Sequence, residues 1–309
     1  MFKRGRALDS ASAVMDQVEV EEKTTESQNP LQNARLAFIG CGVMAEAIIA
    51  GLLRNQLVTA DQIVGSHPRA ARREELYTKY AVRMFESNRE AALEAHPVDE
   101  QTASLLILAV KPQRLSKVLQ ELKGSIHPSQ LVVSIVAGAR TDTIATELVH
   151  AAIVRTMPNT PSQIGQGMTA WTATEAVHEK QEEQVCALLE ALGKAIRVEN
   201  ERQIDMATAL SATGPTYVFL VMEALVDAGV HMGFSRHVAQ DLVHQMMLGS
   251  VLFATESHKH PAELRNMVTS PGGTSAEAIY QMEKGGIRTV LSKAVWAAYQ
   301  RAEALGKKS

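Results

Sequence analysis

The sequence predicts an α/β chain in two parts: a doubly wound, parallel-sheet domain over residues 34–199, then an all-α region over residues 200–309. Three observations carry that prediction. Short, near-continuous apolar runs alternate with helical patterns through the first part, as strands covered on both faces do. The first of these runs ends in Gly40-Cys41-Gly42 and feeds directly into a helical pattern. After Glu199 strand signals stop and only long helical periodicities remain.

A run at 35–39 is the first strand, and Met44, Ile48 and Leu52 then mark one face of the helix that follows. Further β-rich runs fall at 63–65, 105–110, 131–136, 153–156 and 168–172, with helical patterns at 69–80, 113–122 and 141–150 between several of them. A strand at 195–198 closes this part. The second part reads as helices at 200–212, 215–233, 235–257, 274–284 and 286–305. Thr213-Gly214-Pro215 supplies a capping hydroxyl and a proline suited to a first helical turn. Phe219, Met222, Leu225, Val226 and Val230 form a stripe too broad for a helix buried on one side, which points to a bundle or an oligomer interface.

Composition narrows the function classes. The 309 residues carry a net charge of −3 and 4% aromatics, so there is neither a basic footprint for nucleic acid nor an aromatic platform for stacked bases. Two cysteines, Cys41 and Cys186, are too few for a disulfide framework or a thiolate metal site. No run approaches the roughly 20 apolar residues of a membrane helix; the stretch 217–230 carries Glu223 and Asp227. Residues 1–33 have no apolar segment of the secretory kind and are acidic where a transit peptide would be basic. They are expected to be a disordered polar tail with no core to join, and the chain is expected to be cytoplasmic.

Gly40-Cys41-Gly42-Val43-Met44-Ala45 fits G-x-G-x-x-G/A between a strand and a helix, the context of a Rossmann-type dinucleotide site. Gly40 permits the tight turn, Gly42 lets the backbone approach a pyrophosphate, and Ala45 lets the helix pack closely on the strand. Val43 and Met44 offer first-turn N–H groups at the positive end of the helix dipole. At the end of the second strand, where a carboxylate would bind the ribose hydroxyls of NAD, stand Ser66, His67 and Arg69. A hydroxyl, an imidazole and a guanidinium suit a 2′-phosphate, so NADPH is favoured, with NADH possible; the plainer alternative leaves Arg69 a solvated first-turn residue.

Ser270-Pro271-Gly272-Gly273-Thr274-Ser275 precedes a helix. Free N–H groups, the dipole end and two hydroxyls make a small anion nest suited to a carboxylate. An ordinary glycine turn capped by Thr274 or Ser275 reads equally well on physical grounds. His231, His237, His244, His258 and His260 gather in the helical part without cysteine or supporting pattern, so no metal is expected.

Taken together, Gly40 to Ala47, Ala109-Val110-Lys111-Pro112-Gln113, Met157-Pro158-Asn159-Thr160-Pro161, Gly214-Pro215 and Ser270 to Ser275 resemble, in order and spacing, the motif series of pyrroline-5-carboxylate reductases. The likeness spans about residues 34–305. It implies NAD(P)H-dependent reduction of 1-pyrroline-5-carboxylate to L-proline, the last step of proline biosynthesis. It also implies a Rossmann domain followed by a helical domain that interlocks with a second copy in a homodimer or larger homo-oligomer. By the same resemblance Gly272, Gly273, Thr274 and Ser275 hold the substrate carboxylate, and Ser275 contacts the ring nitrogen as the catalytic hydroxyl. Asn88 and the segment Ala109, Val110, Lys111 and Pro112 lie against the cofactor. No nucleic acid or membrane partner is implied.

Three departures stand out. Ser275 replaces the usual threonine, Ala212 replaces a glycine, and 92–104 is long. A protonated cyclic imine is already an electrophile, so a catalytic His-Asp or Lys-Asp pair is not required, and none is evident. Two competing readings are a β-hydroxyacid dehydrogenase, whose lysine on a glycine-containing interdomain helix has no counterpart here, and a non-catalytic dinucleotide-binding regulator, which the intact nest opposes.

Overall fold

The computed structural model describes residues 29–306. Most of the expected tail, residues 1–28, lies outside the described residues; its last five do not behave as a tail. Residues 30–33 form a turn that buries Leu31 completely. Asn29 Nδ2 donates to the Leu57 carbonyl at 2.6 Å, and the Gln62 side-chain amide donates to the carbonyls of Leu31, Gln32 and Ala34. One leucine among polar neighbours gives no periodicity to read, so the ordered chain begins earlier than residue 34.

Eight strands and six helices build the first part in the order β1 (Arg35–Ile39), α1 (Val43–Arg54), β2 (Ile63–Ser66), α2 (Ala70–Tyr80), β3 (Arg83–Phe85), α3 (Asn88–Glu94), β4 (Ser104–Leu108), α4 (Leu115–Leu122), β5 (Leu131–Ser134), α5 (Thr141–Leu148), β6 (Ile153–Met157), β7 (Gly167–Ala173), α6 (Glu179–Glu190) and β8 (Gly193–Arg197). They form one sheet in the order β3-β2-β1-β4-β5-β6-β7-β8. The first six strands are parallel, as the apolar runs predict. All of β4 and β5 is buried, between one core beneath α1 and α6 and another beneath α3, α4 and α5.

The last two strands depart from the all-parallel expectation. β7 runs antiparallel to β6, and β8 is parallel to β7. The link from β6 to β7 holds only a 3-10 turn at Thr160–Ile164, too short for the crossover a parallel neighbour needs. The sequence reading also passes over β3, α3 and α6. β3 is a three-residue edge strand beginning at the exposed Arg83, so no apolar run marks it.

The second part comprises α7 (Glu201–Ala207), α8 (Gly214–His231), α9 (Arg236–Ser257), α10 (Pro261–Met267), α11 (Thr274–Lys284) and α12 (Ile287–Gly306). A π-helical turn at Thr208–Ala212 joins α7 to α8. Together they make a 31-residue helical run, Glu201–His231, with a mean hydropathy of 1.4 over its most apolar window; by length and composition alone it is long enough to cross a membrane, contrary to the sequence expectation. Within one chain α8 and α9 share only a small core around Val226, Ala239 and Val243. Phe219, Leu220, Leu248, Val251, Leu252 and Phe253 remain exposed, an apolar surface larger than a lone soluble chain leaves open.

The two parts are locked together by charge. Arg155, in the middle of β6, is completely buried. Its guanidinium donates to Asp205 Oδ1 at 2.6 Å and to Glu201 Oε1 at 3.1 Å, both on α7. Glu201 also accepts the Thr141 backbone N–H at 3.0 Å, and Arg140 stands 3.7 Å from Glu201 and 3.9 Å from Asp205. Two arginines and two carboxylates thus neutralise one another at the seam. Removing one member leaves a buried charge uncompensated, so Asp205→Ala is expected to destabilise the chain by about 3–5 kcal/mol, read from urea unfolding at fixed protein concentration. Replacing the pair together, Arg155→Met with Asp205→Leu, is expected to recover most of that loss.

Candidate active site

The glycine loop sits at the carboxyl end of β1, at the point where the strand order reverses between β1 and β4. Gly40 has φ +88°, and a Cβ there would lie 2.5 Å from Val110 Cγ1. Only glycine fits. The loop is closed by Cys41 N–H donating to the Ser66 carbonyl at 2.9 Å and Gly42 N–H donating to the Gly40 carbonyl at 2.8 Å. Gly42 occupies the cap position of α1 without a side-chain cap, and nothing lies within 4 Å of where its Cβ would be. The N–H groups of Val43, Met44 and Ala45 accordingly have no acceptor among the described residues and face an open cradle. An anionic pyrophosphate is what such a cradle fits.

A charged latch holds the loop from behind. Arg72 on α2 donates from Nε to the Cys41 carbonyl at 3.2 Å and pairs with Glu46 at 2.5 Å. Glu46 also accepts from Lys79 at 2.7 Å and from Tyr80 at 3.0 Å. Burial alone would push the Glu46 carboxyl up, but hydrogen bonds from Lys79, Arg72 and Tyr80 prevail and hold it at about 2. Cys41, fully buried, has its thiol pushed up to about 12 by desolvation, so it fills space against Gly65 and is no nucleophile. Nothing in the sequence pattern flagged Glu46 or Arg72, whose partners are brought together only by the packing of α1 on α2.

At the end of β2 the predicted trio divides. Ser66 is completely buried, and its hydroxyl donates to Asn88 Oδ1 at 2.7 Å while accepting from Gly40 N–H at 3.3 Å. Its hydroxyl therefore shapes the loop from inside and is not presented to a 2′-phosphate, contrary to the sequence reading. His67 is half-buried; desolvation lowers its pKa, and the positive field of Arg69, Arg72 and Arg73 lowers it further. Arg72 and Arg73 are engaged with Glu46, Glu75 and Glu86, whereas the exposed Arg69 side chain makes no ion pair or hydrogen bond among the described residues. Asn88 opens α3, at the carboxyl edge of the sheet, and its Nδ2 donates to Glu121 at 2.6 Å. The segment Ala109 to Pro112 leaves β4 at that same edge: Ala109 N–H donates to the Ile39 carbonyl at 2.9 Å, and Lys111 and Pro112 are exposed.

The second cradle lies at the start of α11. Gly272 has φ +71°, and a Cβ on Gly273 would lie 2.6 Å from Ser270 Oγ. Gly273 takes the cap position, with no side-chain hydrogen bond to the helix end. Thr274 and Ser275 are therefore not caps; their hydroxyls and N–H groups have no partner among the described residues, because the first intrahelical bonds begin at Ala276 and Glu277. Among the described residues no hydrogen bond joins this cradle to the glycine loop, and no group of three or more His, Cys, Asp or Glu is arranged around a metal-sized site.

A family profile described as pyrroline-5-carboxylate reductase dimerisation matches residues 201–305, and one described as NADP oxidoreductase, coenzyme F420-dependent, matches residues 35–138. The pyrroline-5-carboxylate reductase of Synechocystis is 41% identical over 89% of this chain and 99% of its own length. The solved structure of the Coxiella burnetii pyrroline-5-carboxylate reductase superposes with a TM-score of 0.79 at 36% identity, covering 89% of this chain and 99% of that one. The Plasmodium falciparum pyrroline carboxylate reductase, solved with NADP bound, gives a TM-score of 0.79 at 29% identity over 89% of this chain and 99% of that one.

The latch predicts an acid signature. Glu46 takes up its proton near pH 2 when folded but near its ordinary value of 4.5 when unfolded, so its stabilising contribution is complete above about pH 4.5 and is lost as pH falls toward 2. Urea midpoints of wild type and Glu46→Gln are expected to differ most near neutral pH, to draw together below about pH 4.5 and to meet only as pH approaches 2. Separately, Gly40→Ala is expected to weaken dinucleotide binding at least tenfold, measured by quenching of intrinsic fluorescence.

Proposed function

We infer that this chain, which belongs to the pyrroline-5-carboxylate reductase family, reduces the C=N bond of 1-pyrroline-5-carboxylate to L-proline with hydride from a nicotinamide dinucleotide, the last step of proline biosynthesis. The observation that carries this reading in the molecule itself is the second cradle. Among the described residues it offers two free N–H groups, two uncommitted hydroxyls and the positive end of an eleven-residue helix, with no hydrogen-bonded acid-base dyad beside them.

That chemistry matches the substrate. The carboxylate of the cyclic imine is held by the N–H groups of Thr274 and Ser275 over Gly272 and Gly273. The Ser275 hydroxyl hydrogen-bonds the ring nitrogen, orienting the ring and keeping the proton on a nitrogen that is basic enough to carry it. The bound dinucleotide supplies the hydride. Residues 34–199 take the dinucleotide: Gly40, Gly42 and the N–H groups of Val43, Met44 and Ala45 cradle its pyrophosphate, and Asn88 and the Ala109–Pro112 turn border it. Residues 200–309 take the substrate and a second copy of the chain, which covers the exposed apolar faces of α8 and α9.

NADPH is the preferred donor on this reading. Arg69 is the uncommitted cation at the end of β2, His67 is beside it, and none of residues 66–69 carries a carboxylate to repel a 2′-phosphate. The purified protein is expected to oxidise NADPH when given pyrroline-5-carboxylate. Arg69→Ala should raise the KM for NADPH about tenfold and leave that for NADH within about twofold, the loss of one charge-assisted phosphate contact. Ser275→Ala should lower kcat at least tenfold with the dissociation constant of NADPH unchanged. Unaltered turnover in that variant would remove Ser275 from the chemistry.

A further inference from the structure

We propose that Asn159 is a positioning residue for hydride transfer. Its side-chain amide ties the π-helical turn between α7 and α8 to the carboxyl end of β6, and so fixes the rotation at which the helical part meets the dinucleotide. The proposal rests on the reductase reading above.

π-helical turns are rare, and a single one inserts an extra residue into a helix. At 3.6 residues per turn that residue rotates everything beyond it by roughly 100° about the helix axis. Whether the turn at Thr208–Ala212 is wide or reverts to α-helix therefore decides which face Gly214, Pro215 and Tyr217 present. The wide turn is held on every side. Thr213 donates from both its N–H and its hydroxyl to the Thr208 carbonyl at 2.9 Å, and the Tyr217 hydroxyl donates to the Ala209 carbonyl at 2.9 Å. The remaining contact comes from outside the helix: Asn159 Nδ2 donates to the Ser211 carbonyl and hydroxyl, each at 3.4 Å. Asn159 is itself anchored, because its Oδ1 accepts the Met168 N–H at 2.9 Å. Beneath it Met157, Ala170 and Ile204 form a small core against which Ala207 and Ala212 pack.

The location gives the bridge its consequence. In a sheet ordered 3-2-1-4-5-6 a dinucleotide lies across the carboxyl ends of the strands, one mononucleotide half over β1–β3 and the other over β4–β6. Asn159 follows the carboxyl end of β6, on the nicotinamide side, and α12, which contacts α11, the helix that carries the cradle at its other end, also packs on the π turn. A slip of this turn would shift the substrate cradle relative to the hydride donor without disturbing the glycine loop.

Asn159→Asp isolates the bridge. It keeps the oxygen that accepts from Met168, and it replaces the donor facing Ser211 with an oxygen that repels that carbonyl and leaves only the Ser211 hydroxyl able to meet it. The wild type and this variant are compared for kcat, for KM toward both substrates, and for amide hydrogen exchange in the dinucleotide-free protein. Expected are a fall in kcat of at least tenfold, a KM for NADPH within twofold of wild type, and faster exchange confined to residues 208–217. Thr213→Val, which loosens the same turn from the helix side, is expected to give the same pattern and carries the test should Asn159→Asp not fold. A kcat within twofold of wild type overturns the proposal. So does a fall in kcat with exchange at 208–217 unchanged. Absence of reductase activity in the wild type would instead overturn the functional reading on which it rests.

Discussion

The buried Arg155 guanidinium is the constraint on which the rest of the arrangement depends. It stands in the middle of a strand otherwise made for an apolar environment, and it is tolerable there only because Glu201 and Asp205 reach it from the first turns of the helical part. A guanidinium cannot shed its charge at neutral pH, so the sheet and α7 cannot separate without exposing it or leaving it unpaired. That gives the seam a defined geometry beyond the apolar contact of Met157 and Ala170 with Ile204. The π turn and α8 take their position from this electrostatic junction together with the Asn159 bridge and the small core of Met157, Ala170 and Ile204.

On the proposed reading, function on this scaffold relies mainly on backbone. Both cradles are helix starts left deliberately uncapped: Gly42 at α1 and Gly273 at α11 occupy cap positions where serine, threonine or aspartate would normally satisfy the end of the helix. The unsatisfied N–H groups carry a standing cost in the free chain that an anionic ligand offsets on binding. Hydride transfer to a cyclic imine needs alignment and exclusion of water more than it needs a strong acid, so two anion cradles and one hydroxyl are sufficient equipment. The charged groups near the glycine loop, Glu46, Arg72 and Lys79, are spent on holding its shape.

Much of this could be read in the sequence, because the relevant signals are local. The strand–glycine loop–helix unit shows in residues 35–52, and α11 begins at Thr274 as the glycine pair before it requires. What escaped is non-local. Arg155 reads as an interruption in a short apolar run, since its partners lie about fifty residues on. Ser66 has the chemistry of a phosphate ligand, but the strand register turns its hydroxyl inward to Asn88 and Gly40. β7 has the pattern of any buried strand; only the shortness of the link after β6 reverses its direction. The Asn159 motif was visible as a motif, while its engagement with Ser211 depends on a π turn that periodicity cannot distinguish from an ordinary helix.

The central claim is that substrate carboxylate and dinucleotide are held by two separate uncapped helix starts, with the Ser275 hydroxyl on the substrate's ring nitrogen. A structure of the protein with NADPH and L-proline bound tests it most directly. The account predicts the proline carboxylate on the N–H groups of Thr274 and Ser275, the Ser275 hydroxyl on the ring nitrogen, and the reacting carbon about 3–3.5 Å from the nicotinamide. Proline bound elsewhere, or a ring nitrogen out of reach of Ser275, would contradict it.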